Sequence, residues 1–166
     1  TFSYSICCRN CSITTINSPC SSNSVLYVEA KLNNLLSINN SSPDFTNSPV
    51  AFVCLGQNFN YNHGVVEPDG DSLFYELITP KTGPNSTVTF IPPSSVINPI
   101  SSSTPFALNS MNGDINFTPN QMQIGVMAIR VKEYRNGQFI GSVIRDMQVY
   151  TQTCNNNLPT LSGING

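Results

Sequence analysis

The chain has 166 residues, of which only 10% are charged, and a formal net charge of −2. So low a charge, with a net negative sum, argues against nucleic acid as a partner, because phosphate binding selects for grouped cations. No apolar run reaches the length of a bilayer span, and the chain is long enough for one good core, or one domain with part of another.

At the N-terminus, Phe2, Tyr4, Ile6 and Cys8 alternate with Ser3, Ser5 and Cys7, the period of a half-buried strand. Adjacent residues on a strand point to opposite faces, so Cys7 and Cys8 are expected to find different partners. Cys8 and Cys11 have CxxC spacing, but there is no second pair and only one histidine, so zinc is a poor fit. No strand–helix alternation surrounds the pair either, which argues against a thioredoxin-like motif. Cys11 and Cys20 bracket a loop containing Pro19 and are expected to form a local staple. Leu26, Val28, Ala30 and Leu32 read as the next inward row, with Tyr27, Glu29 and Lys31 outward.

The Asn/Ser/Pro-rich stretch 33–49 reads as a connection between two packing units. The apolar run 50–55, interrupted only by Cys54, predicts a buried strand, and Phe59 and Tyr61 belong to another. After an acidic turn, 73–78 predicts a further strand. Residues 79–103, with Pro80, Pro84, Pro92, Pro93 and Pro99, predict a long surface excursion in which only 87–91 is extended. A turn and short strand follow at 112–119. Residues 124–134 and 138–152 flank Arg135-Asn136-Gly137, and Asn-Gly is a strong hairpin signal. Both faces of that hairpin are apolar at its base, which suits a central position in a sandwich. No segment carries a helical stripe; the chain reads as all-β.

The acidic turn is the most chemically informative stretch. Glu67, Asp69 and Asp71 occupy every second position around Pro68 and Gly70. Carboxylates crowded on a tight turn suit Ca²⁺, which takes several oxygen ligands; the plain alternative is a solvated β-turn. It is not an EF-hand. The twelfth residue from Asp69 is Pro80, where a bidentate Glu is needed; from Glu67 the sixth is Ser72 and the twelfth Ile78. Asn62, Asp114 and Glu133 are candidates for further oxygens, with Asp114, in a Gly-Asp turn, the first choice.

Several stretches resemble large Bacteroidetes surface proteins of the gliding-motility-associated, adhesin-like type. They are Ile6-Cys7-Cys8-Arg9-Asn10 with Ile13-Thr14-Thr15-Ile16, and Asn40-Ser41-Ser42-Pro43-Asp44-Phe45. Further along come Phe59-Asn60-Tyr61-Asn62-His63-Gly64 through Asp69-Gly70-Asp71-Ser72-Leu73, then 131–137 with Ile140-Gly141 and Arg145-Asp146-Met147-Gln148. The central piece is also similar to cadherin-like and Ig-like bacterial repeats, whose Asp-Gly-Asp turn can hold Ca²⁺ at a domain end. Here Glu67 stands where Asp is usual. The resemblance implies an antiparallel β-sandwich over 44–154, extra strands over 1–43 that close a preceding domain or pack as an extension, and a linker or tail over 155–166. It further implies an extracellular, cell-surface protein exported across the outer membrane. Its expected role is adhesion or surface architecture, with neighbouring domains or copies of itself as partners.

Two other functions compete. A carbohydrate-binding accessory module would stack sugars on exposed aromatics such as Tyr27, Tyr134 or Tyr150, and so take surface glycans as partners. An enzyme would have to use His63, the only histidine. His63 between Tyr61, Asn62 and the acids reads as structural, capping a strand or bonding Glu67 or Asp69, so no catalytic role is expected. Arg145 is expected in a buried or interface ion pair, and Asp146 facing water or a backbone amide. Beyond Cys11–Cys20, the partners of Cys7, Cys8, Cys54 and Cys154 stay open: Cys54 and Cys154 could pair with each other or bridge to Cys7 or Cys8.

Overall fold

In a computed structural model of the chain, residues 1–36 and 39–155 are described. The strands are β1 (Phe2–Ile6), β2 (Leu26–Leu32), β3 (Asp44–Phe45), β4 (Phe52–Cys54), β5 (Phe59–Asn62) and β6 (Val65–Val66). They continue with β7 (Ser72–Ile78), β8 (Ala107–Leu108), β9 (Asp114–Phe117), β10 (Gln123–Arg135) and β11 (Gln138–Gln152). The expected linker or tail lies outside the described residues from 156 onward.

The β10–β11 hairpin is the spine. Its turn holds Asn136 at φ 53° and Gly137 at φ 76°, the positive angles that let a tight turn follow the twist of the flanking strands. The main sheet runs β1-β2-β11-β10-β7, with β4 lying parallel along the end of β11. All its other pairings are antiparallel. A three-stranded sheet, β5-β9-β8, and a two-stranded one, β3–β6, accompany it. The chain is therefore an all-β domain of several antiparallel sheets, sandwich-like in its layering.

One face of the main sheet packs on the smaller sheets. Ile115 and Phe117 of β9 meet Met127, Met147 and Val149, with Val53 and Ile100 alongside. Phe45 and Val65 close over Tyr75, Ile129 and Val131. The opposite face is covered by loops rather than strands: Ile13, Ile16 and Val88 pack against Ile124 and Val126. Backbone bonds fasten this cover, from Thr14 N to Ile124 O (2.9 Å) and from Ile91 N to Thr15 O (2.9 Å). The excursion over 79–103 keeps Pro84, Pro92, Pro93 and Ile97 exposed, but it is anchored in the core through Val88, within its extended piece 87–91, and through Ile100.

The N-terminal pair departs from expectation. On β2 the buried residues are Tyr27 and Glu29, whereas Leu26, Val28 and Ala30 are half-buried and Leu32 is exposed. The inward and outward rows are reversed because the loop cover carries cations to that face. Lys81 Nζ lies 2.8 Å from Glu29 Oε1 and 5.4 Å from the Tyr27 ring centre. On the same face of β11, Arg9 Nη1 and Nη2 donate to both Asp146 oxygens (2.9 and 2.6 Å). Burial pushes the Asp146 carboxyl above its ordinary value even though Arg9 opposes it. Asp146, not Arg145, therefore makes the buried ion pair, which corrects both expectations for these neighbours.

The disulfides are Cys7–Cys8, Cys11–Cys20 and Cys54–Cys154. The local staple is as expected, and Cys54–Cys154 is one of the pairings left open. The bond between neighbours corrects the expectation of separate partners for Cys7 and Cys8. They lie just past the end of β1, where the strand rule that sends adjacent side chains to opposite faces no longer governs them.

Candidate functional site

The β6–β7 turn gathers the predicted acids. Gly70 sits at φ 81°, a left-handed angle that favours glycine and lets the chain reverse tightly. As a result, ligand oxygens of Glu67, Asp69 and Asp71 all lie within 4.8 Å of one another. Glu67 braces the turn itself: its Oε2 accepts from Asp71 N at 2.6 Å. Its Oε1 is buried with no hydrogen-bond partner. Asp69 accepts from the Ser41 backbone N–H.

The hairpin supplies the cation. Arg135, at the end of β10, donates from Nε and Nη2 to the two oxygens of Asp71, each at 2.7 Å, and approaches Asp69 at 3.9 Å. This planar, bidentate geometry is the one guanidinium makes best with carboxylate. Two residues earlier, Glu133 is 1% exposed, and its Oε1 accepts from Asn40 Nδ2 at 3.1 Å. Burial raises the Glu133 pKa, and the charges of Glu67, Asp71 and Asp69 raise it further, while the Asn40 bond lowers it. The charges of the three turn carboxylates thus reach a fourth, buried beside them.

Neither Glu133 nor Asp114 lies within that 4.8 Å group, though Glu133 feels its charges. Asp114 stands elsewhere. It sits on β9, accepting from Asn62 Nδ2 and Asn112 Nδ2 at 2.6 Å each, and Asn62 accepts from Gly64 N at 2.7 Å. The two side chains lock the β5–β9 ladder, where they are cross-strand partners. Sequence spacing could not place Asp114, because its position depends on that pairing.

His63 is fully buried, and neither ring nitrogen has a hydrogen-bond partner. The expected bond to Glu67 or Asp69, or to a strand end, is absent. Instead the ring stands edge-on to Tyr61, with centres 4.8 Å apart, and to Phe45 at 6.0 Å. Burial, aided by the Arg145 charge, lowers its pKa to about 4, so the ring is neutral at neutral pH. Arg145 itself lies 4.4 Å over the Phe45 ring and donates to Asn47 O at 2.9 Å.

Among the aromatics weighed for sugar binding, Tyr27 is buried and Tyr134 is half-buried against Phe139. Tyr150 is exposed and packs on Phe52 at 5.6 Å. The three do not form one flat row.

No family model, curated protein or solved structure matches this chain.

Proposed function

We propose that this chain is a non-enzymatic structural and adhesive module of a secreted or cell-surface protein. In this reading it is an Ig-like or cadherin-like β-sandwich, tightened by Ca²⁺ at the acidic corner. The observation that carries the reading is the convergence of Glu67, Asp69 and Asp71 beside buried Glu133, with one Glu67 oxygen buried and unpartnered. Arg135 offsets only one of these charges, and a divalent cation would offset more while supplying the missing partner. The six cysteines are all disulfide-bonded, which supports an oxidising, exported setting. The resemblance to Bacteroidetes adhesin-like proteins remains part of this proposal.

Thermal melting in Ca²⁺ against EDTA tests it. At a hundredfold excess over Kd, a single site adds about 2.7 kcal/mol, or roughly 5–10 °C for a domain of this size. The Asp69→Ala/Asp71→Ala double variant should lose that rise. An unchanged wild-type melt would remove calcium from the reading. The exposed Phe52–Tyr150 pair supports a glycan-binding alternative, and loss of binding to a glycan panel in Tyr150→Ala would favour it.

A further inference from the structure

The apolar rows of β1 and β2 are patterned for burial, yet the fold leaves that of β1 bare and that of β2 only half-buried. Phe2, Tyr4 and Ile6 are 78, 62 and 50% exposed, and they are paired across the strands with Ala30, Val28 and Leu26. Ala30 in turn pairs with Val143 of β11, and Val143 packs against the core formed by Tyr75, Ile129 and Val131. The uncovered rows are thus the lateral continuation of the face that the smaller sheets cover. Between them runs a groove of about 350 Å³ lined mainly by Phe2, Tyr4, Val28, Ala30 and Val143, with Glu29, paired to Lys81 and Lys31, at its edge.

The patch has a ridge and a hollow side by side. Phe2 and Tyr4 stand up on β1, while the floor beside them is the smaller Val28, Ala30 and Val143. A surface holding both halves of a fit is self-complementary under a two-fold axis. We propose that a second copy of this chain covers it, the two bared sheet ends packing face to face. Each copy's Phe2–Tyr4 ridge then lies in the other's groove.

Charge and area agree with that occupant. β1 reads Phe-Ser-Tyr-Ser-Ile with no charged residue, so a second copy meets no like charge across its ridge. An aromatic side chain carries roughly 150–250 Å². At the observed exposures, the ridge and its flanking residues offer on the order of 500 Å² per copy. About 1,000 Å² in total is the lower limit for a specific contact, in the weak and reversible class.

This deepens the structural-module reading by naming a partner. Sedimentation equilibrium from low to high micromolar protein tests it: the wild type should move from 18.1 kDa toward twice that mass as concentration rises. Tyr4→Lys should stay monomeric, while Met111→Lys, at another exposed site, should behave as wild type. Benzoylphenylalanine at position 4 should photocrosslink to the partner's β2 or its 141–144 segment. A wild type that stays monomeric at every concentration overturns the proposal, as does a dimer that survives Tyr4→Lys. Crosslinks confined to β1, the signature of edge-to-edge pairing, also overturn it. A monomer that keeps its calcium-dependent melt would remove the pairing and leave the module reading standing.

Discussion

β10 and β1 lie in the same sheet and carry the same kind of alternating apolar row, but only β10 is buried by it. Ile129 and Val131 are fully enclosed beneath β3–β6, while Phe2, Tyr4 and Ile6 face outward. The difference lies in neither propensity nor period. The smaller sheets stop before they reach β1 and β2, so one end of a continuous apolar face is core and the other is surface. Alternation says that a strand has two unlike faces; what covers each face is decided by other parts of the chain.

The sharpest way to break the covered region is through its charges. Asp146→Ala leaves Arg9 buried and unpaired behind the loop cover; both side chains are 2% exposed. Denaturant unfolding should show a loss of about 3–5 kcal/mol. The Arg130–Glu76 pair on β10 and β7 is 28% exposed on each side, and Arg130→Ala should cost under about 1 kcal/mol.

Next in size is the direct comparison of the two rows. Ile129→Ala should cost about 2–5 kcal/mol, because it empties space in a closed core. Ile6→Ala, assayed in dilute protein, should stay within about 0.5 kcal/mol. Equal losses at the two sites would mean that β1 is covered in the monomer after all.

The third effect depends on pH. The folded His63 binds its proton only near pH 4, against 6.5 for the ordinary group. The unfolded chain therefore takes up the proton first, so this contribution is intact above pH 6.5 and is lost as pH falls toward 4. The full loss approaches roughly 3 kcal/mol. Glu133, whose pKa is raised, acts in the opposite sense, since the folded state holds its proton more tightly. For that reason the test compares wild type with His63→Phe between pH 7 and 4, where the variant's stability should fall less. Parallel profiles would show that His63 does not titrate as its burial demands.

The all-β class, the long hairpin around Asn136-Gly137, the Cys11–Cys20 staple and the crowding of Glu67, Asp69 and Asp71 were legible in the sequence alone. Each depends on residues close together in the chain, where period, turn chemistry and spacing act directly. Tertiary structure alone decided that Tyr27 and Glu29 point inward, that Asp146 rather than Arg145 is the buried partner, and that Glu133 lies buried within reach of the acids' charges while Asp114 pairs with Asn62 on β9. The same holds for His63, expected to bond Glu67 or Asp69 but packed edge-on against the rings of Tyr61 and Phe45. Those outcomes turn on which segment is laid over which face. Arg9, Lys81 and Asn40 are brought there from distant parts of the chain, and no local pattern encodes their arrival.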